Sequence, residues 1–238
     1  MSIENQIVWI TGATSGIGKA IAEAFAQHGA TVVISGRNSE ALFGLAKFLD
    51  GSGYRAIPIP CDVRDEAQVL EAAGKIHRTI GKVDVLVNNA GTTIFKSFLE
   101  SSIDEFDQIV NTNLRGAFLC TKATLPGMIE RKEGLIVMIN SVTSKYEFTN
   151  SSIYAASKLG LRGMTDVLRK EVRQHGVRIV SVYPGATETN IWSESILKKY
   201  SHRMMKPSVV AQAILDLSKL PKDVMMEEIL LRPIGGDL

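Results

Sequence analysis

Along the 238 residues, short runs of β-branched and other apolar side chains recur at 7–10, 31–35, 55–60, 83–88, 135–140, 178–183 and 229–232. Helix-length stretches lie between them, at 17–28, 39–50, 65–80, 103–131, 152–174 and 207–219. Runs that stay apolar without alternation suit strands covered on both faces, so the pattern predicts a mainly parallel, seven-stranded sheet. Parallel neighbours require crossovers of one hand, which places helices on both faces. The expected architecture is one doubly wound α/β domain of the Rossmann type over residues 1–238. A ligand in such a sheet belongs beyond the carboxyl ends of the strands. Pro207 stands where the last helix begins, a position that tolerates its missing N–H.

Residues 189–206 break the alternation. They carry Ile191, Trp192, Ile196, Leu197, Met204 and Met205 without a clear period. A long connection in a compact domain is often functional, so the segment reads as a substrate-binding lid; the alternative is an irregular connection packed on the body.

Composition then narrows the function classes. Hydrophobic residues make up 45% and charged residues 22%, a balance that supports a packed core. With 27 Lys+Arg against 25 Asp+Glu and no long run of one sign, no nucleic-acid partner is expected. Every apolar stretch is interrupted before the roughly 18 residues that a membrane span needs, so no membrane partner is expected either. The first residues lack a basic start and a small-residue cleavage site, which makes the cytoplasm the expected location. Cys61 and Cys120 lie far apart and read as buried reduced thiols. His28, His77, His175 and His202 are scattered without metal-ligand spacing, so no metal is expected.

The first strand runs into Thr11-Gly12-Ala13-Thr14-Ser15-Gly16-Ile17-Gly18 and then into a helix. That order suits a dinucleotide site. Gly12 permits a tight turn, Gly16 lets backbone approach a pyrophosphate, and Gly18 lets helix pack on strand, while the helix start offers free N–H groups to the anion. After the second strand, Gly36-Arg37 stands where an NAD site would offer a carboxylate to the ribose. A guanidinium matches a 2′-phosphate instead, so the expected cofactor is NADP(H); a solvated loop arginine is the alternative reading of Arg37. After the third strand, Asp62 and Val63 are placed to meet the adenine, although Asp62 could instead cap the following helix.

Tyr154 and Lys158, four apart in a helical stretch, share one helix face. A nearby ammonium favours the phenolate and would bring a tyrosine toward a useful acid/base range. A solvated helix pair would show the same spacing. The remaining motifs decide between these readings. With the glycine turn, Asn88-Asn89-Ala90-Gly91 after the fourth strand, Ser141 after the fifth and the Tyr154/Lys158 pair, the sequence resembles the short-chain dehydrogenase/reductase family over nearly its whole length.

The resemblance implies hydride transfer between nicotinamide C4 and a carbonyl or alcohol carbon. It implies that Tyr154 is the acid/base and that Lys158 holds the nicotinamide ribose and lowers the tyrosine pKa. Ser141 then hydrogen-bonds the substrate oxygen, and Asn113 holds a water that links Lys158 to solvent. Asn89, with Ala90 and Gly91, supports the cofactor, and in the loop from Pro184 and Gly185 onward, Thr187 and Thr189 contact the nicotinamide amide. Tyr146 is followed four residues later by Asn150, not by an ammonium, so it reads as a mouth residue; Ser144 and Ser157 lack the matching position. A homo-oligomer, tetramer or dimer, built partly on the last strand is also implied.

The expected activity is NADPH-dependent reduction of a small carbonyl substrate, or the reverse oxidation of its alcohol. Thr93, Phe95, Val142, Lys145, Tyr146, Phe148, Ile191 and Trp192 are the candidate lining residues. Lys145 reads either as a recognition point for a carboxylate or an acidic carrier protein, as a 3-oxoacyl thioester reductase needs, or as a solvated loop charge. The competing classes are a non-catalytic NADP(H) sensor or scaffold, and an epimerase or dehydratase. The former is disfavoured by the joint presence of Asn113, Ser141, Tyr154 and Lys158, the latter by the short C-terminal region.

Overall fold

The structure, a computed structural model, describes residues 2–237. Strands β1 (Ile7–Thr11), β2 (Thr31–Ser35), β3 (Ala56–Pro58), β4 (Val85–Asn88), β5 (Gly134–Ile139), β6 (Val177–Pro184) and β7 (Glu228–Leu231) form one sheet. Their order is β3-β2-β1-β4-β5-β6-β7, and every neighbouring pair is parallel. The direction of winding therefore reverses between β1 and β4, which opens a crevice at their carboxyl ends.

Helices α1 (Gly16–Gln27), α2 (Ser39–Gly51) and α8 (Pro207–Ser218) cover one face of the sheet. Helices α3 (Glu66–Thr79), α5 (Gly116–Glu130) and α6 (Ser152–Val172) cover the other. Alternation along β1 shows why both faces need cover: Val8 and Ile10 enter the first core and Trp9 the second, and all three are fully buried. Side-chain caps start the helices where the chain leaves the strands. Asn38 accepts the Ala41 N–H at 3.0 Å to open α2, and Asp65 accepts from Ala67 and Gln68 at 2.9 and 3.2 Å to open α3.

Two sequence expectations change. The helix expected over 103–131 is α4 (Ile103–Val110), a π-helical turn (Asn111–Arg115) and α5. A widened turn of this kind is typical of functional sites, and it carries the buried Asn113 inward. The segment 189–206 is also not wholly irregular: it contains α7 (Glu194–Tyr200), capped by Ser193, and a short 3₁₀ turn (Ser201–Arg203). Its apolar positions showed no period because only seven residues are α-helical. Cys61 and Cys120 are free and buried. Among the described residues, no helix is long and apolar enough to cross a membrane.

Candidate active site

The crevice is built first by hydrogen bonds that join the ends of β1 and β4. The Thr11 hydroxyl donates to the Val87 carbonyl at 3.3 Å and accepts the N–H groups of Asn89 and Ala90, each at 3.0 Å. The Asn89 amide donates to the carbonyls of Thr11 at 2.9 Å and Gly12 at 3.0 Å. Gly12 has φ +63°, and a Cβ there would lie 2.8 Å from the Ala90 Cα. A Cβ on Gly18 would stand 2.4 Å from both the Gly12 carbonyl and the Asn89 amide, so this position needs close approach rather than an unusual φ. Thr14 and Ile17 are half-buried on the turn. Ser15 precedes α1 with extended backbone and no side-chain capping bond, which leaves the first-turn N–H groups to an anion. The turn thus fits the pyrophosphate of a dinucleotide.

At the adenosine end, Arg37 is exposed on the loop after β2. Asp62 does not cap α3, because Asp65 fills that role. Its carboxylate is instead gripped by Arg64, whose Nε lies 3.0 Å from both oxygens and whose Nη2 lies 2.6 Å from one. The Arg64 hydrogen bond holds the Asp62 carboxyl below the usual range, against the opposing effect of burial, and Arg37 adds to the lowering. Arg64 was missed at the sequence level, where its only signal was a cation two residues after Asp62. Val63 is buried against α5, where a Cβ on Gly116 would meet its side chain at 2.7 Å.

Ser141 follows β5, and Tyr154 and Lys158 project from the first half of α6; all three are buried. The Lys158 ammonium donates to the Ile139 carbonyl at 2.8 Å and lies 5.8 Å from the centre of the Tyr154 ring. Asn113 is locked rather than free. Its Oδ1 accepts the Thr92 N–H at 2.8 Å, and its Nδ2 donates to the Thr92 carbonyl at 2.9 Å and to Ser157 Oγ at 3.0 Å. Ser157 in turn donates to the Tyr154 carbonyl at 2.7 Å. Asn113 and Ser157 therefore tie the π-turn, the loop after β4 and α6 together.

The expected lowering of the phenol is reversed here. Burial pushes Tyr154 up to about 12, with a hydrogen bond to Ser141 pulling the other way. Burial brings Lys158 down to about 8. Desolvation penalises the charged form of each group.

Beyond β6, the chain returns over the glycine turn. Pro184 ends β6, the Gly185 N–H donates to the Leu231 carbonyl at 2.7 Å, and the buried Thr187 hydroxyl donates to the Gly185 carbonyl at 2.9 Å. A Cβ on Gly16 would lie 3.0 Å from the Thr189 methyl, so this loop faces the α1 N-terminus across the crevice. Phe95 meets the Tyr154 ring edge-on at 6.4 Å and stacks on Trp192 at 5.2 Å. Val142 is buried next to Ser141, the Thr93 hydroxyl is buried without a hydrogen-bond partner, and Ile191 is exposed.

Neither sequence reading of Lys145 describes its setting. Its ammonium pairs with Glu228 at 2.7 Å and sits 4.2 Å above the Tyr183 ring, while Tyr183 donates to the same carboxylate at 2.9 Å. Tyr146 and Phe148 also stand apart from Tyr154: they line a cavity of about 740 Å³ against Phe98, Ala155 and Leu159, and Tyr154 forms no part of its wall.

The profile of the short chain dehydrogenase family matches residues 6–199. The 3-oxoacyl-[acyl-carrier-protein] reductase FabG of Thermotoga maritima is 37% identical over 227 residues, which cover 92% of this chain and 92% of that protein. Among solved structures, a metagenomic short-chain oxidoreductase in complex with NADP superposes with TM-score 0.87 at 30% identity, covering 98% of this chain and 99% of that one. An alcohol dehydrogenase from the archaeon Thermococcus sibiricus, complexed with 5-hydroxy-NADP, superposes with TM-score 0.89 at 31% identity over 97% of both chains.

Proposed function

The chain belongs to the short-chain dehydrogenase family, and from that premise we propose that it is an NADPH-dependent carbonyl reductase. The observation that carries this reading is the gathering of Ser141, Tyr154, Lys158 and Asn113 around the carboxyl ends of β4 and β5, beside the Gly12–Gly18 turn. In the proposed reaction, NADPH, a proton and a ketone or aldehyde become NADP⁺ and an alcohol. When bound, the reduced nicotinamide supplies the hydride.

The chain's own residues supply position and the proton. The α1 N-terminus holds the pyrophosphate, Arg37 the 2′-phosphate, and Asp62 and Val63 the adenine. Asn89, Ala90 and Gly91 line the middle of the crevice, and Pro184, Gly185, Thr187 and Thr189 position the nicotinamide. Ser141 donates its hydroxyl hydrogen to the substrate oxygen, and Tyr154 transfers its phenolic proton to that oxygen as charge develops. A phenol near 12 is fully protonated at neutral pH, which suits a donor and hence the reductive direction. Lys158 holds the nicotinamide ribose and, with a pKa near 8, can return a proton toward Tyr154. Asn113 fixes the loop against α6. Residues 189–206 act as the lid.

The NADP-bound structural relatives support NADP(H) over NAD(H). Reduction of a 3-oxoacyl thioester is the second reading, favoured by the similarity to the Thermotoga reductase. The enzyme is further proposed to be a cytoplasmic homo-oligomer: its two thiols are free and buried, and Ile103, Phe106, Phe118, Leu159 and Val167 leave apolar surface on α4, α5 and α6.

The test is NADPH oxidation across ketones, keto acids and 3-oxoacyl thioesters, with NADH in parallel. Turnover with at least one carbonyl class is expected, and Tyr154→Phe is expected to lose at least about 10²-fold in kcat while still binding NADPH. Undiminished turnover in that variant excludes Tyr154 as the acid.

A further inference from the structure

Two stacked aromatic rings stand beside Tyr154. Phe95 lies edge-on to Tyr154, and its plane is only 12° from that of Trp192. Trp192 is tethered on its far side: the indole N–H donates to the Thr187 carbonyl at 3.0 Å and the backbone N–H to the Thr189 carbonyl at 3.3 Å. Phe95 is nevertheless 43% exposed, so it offers surface to the crevice instead of filling a core.

Three cations on the loops beyond β4, β5 and β7 are already engaged. Lys96, next to Phe95, pairs with Glu105 at 2.7 Å. Lys145, four residues beyond Ser141, pairs with Glu228 at 2.7 Å. Arg232 pairs with Asp237 at 2.6 Å and covers the Tyr146 ring at 4.8 Å. A substrate carboxylate drawn between the rings and Tyr154 would lose water and meet only the buried Lys158 ammonium, which is already bound to the Ile139 carbonyl and is needed for the nicotinamide ribose, so its burial is poorly compensated. A flat apolar group there exchanges water for ring contact, which is favourable.

We propose that Phe95 and Trp192 form an aromatic clamp that selects uncharged carbonyl substrates bearing an aryl or similarly flat apolar group, and that discriminates against keto acids. The clamp deepens the reductase reading and rests on it for its chemistry. Phe95 and Trp192 are specificity-determining residues here; proton transfer stays with Tyr154.

A matched pair tests the claim. Acetophenone and phenylglyoxylate share a ring and a carbonyl and differ by methyl against carboxylate. The wild-type protein should favour acetophenone by about tenfold or more in kcat/KM. Trp192→Leu and Phe95→Leu should each lower kcat/KM for acetophenone about three- to tenfold more than that for 2-butanone, with the difference mainly in KM. Trp192→Phe, which keeps a ring, should retain the preference. Equal or better use of phenylglyoxylate overturns the proposal, as does an equal loss on both ketones in the Leu variants.

Binding gives an independent readout. 1-Phenylethanol, but not mandelate, should change the Trp192 contribution to tryptophan emission, taken as the difference between wild type and Trp192→Leu. If the wild type reduces neither carbonyl, the reductase reading fails, and the clamp then stands or falls on that emission difference alone.

Discussion

At the scale of single residues, burial governs the proposed proton donor. Tyr154 and Lys158 are both buried, and burial moves the phenol up and the ammonium down. The pH profile should follow from those directions. Reduction requires the protonated phenol and draws on the charged Lys158, so its rate should hold near neutrality and decline as pH rises through about 8. Alcohol oxidation requires the phenolate, so its rate should climb toward the phenol's own value of about 12, above the range in which reduction declines. Initial rates in both directions at saturating cofactor check this, and parallel pH profiles for the two directions would contradict it. Arg37 gives a second residue-scale prediction. On the proposed role of Arg37 at the 2′-phosphate, Arg37→Ala should weaken NADPH binding by about 1.5–3 kcal/mol and leave NADH binding nearly unchanged; titration calorimetry with both nucleotides separates the two outcomes. The four-residue spacing of Tyr154 and Lys158 was legible in the chain, but the sign of the phenol shift was not. Helix geometry is local, whereas desolvation depends on every element packed above the pair.

At the scale of elements, the strand–turn–helix unit is held by absent side chains as much as by present ones. Gly18 lies so close to Gly12 and Asn89 that a methyl group there has no room, since its nearest neighbour is the Gly12 backbone carbonyl at 2.4 Å. Gly18→Ala should therefore destabilise the fold by about 1–3 kcal/mol and weaken dinucleotide binding in parallel. Urea unfolding and nucleotide titration measure the two effects, and a variant as stable as wild type would show that α1 can move away from β1. The glycine turn was readable because its spacing sits within one short segment. The π-turn between α4 and α5 was not. Its residues have helical character throughout, and the partners that hold Asn113 there, Thr92 and Ser157, come from other parts of the chain.

At the scale of the whole molecule, the reversal of winding between β1 and β4 brings the glycine turn, the loop after β4 and the start of α6 around one crevice. The same packing leaves outward apolar side chains: Ile103 is 76% exposed, Val167 58% and Leu159 51%. Covering them with a second copy of the chain predicts an assembly larger than a monomer. Light scattering after size exclusion should show a multiple of the single-chain mass, and Leu159→Glu with Val167→Glu should shift it toward monomer without unfolding it. A monomeric wild type would dispose of the oligomer.

By itself, the sequence determined the alternation of the seven strands with helical stretches, the parallel sheet, the glycine turn and the Tyr154/Lys158 spacing, because each is written in residues close together in the chain. Tertiary structure alone decided that Asp62 is held by Arg64 while Asp65 caps α3, and that Lys145 is committed to Glu228. It also decided that Phe95 stacks on Trp192 beside Tyr154. The last two join residues far apart in the chain. The first was a choice among nearby polar groups that only the path of the backbone resolves. Partner choice among charges and rings depends on which surfaces folding brings together, and residue order does not encode that distance locally.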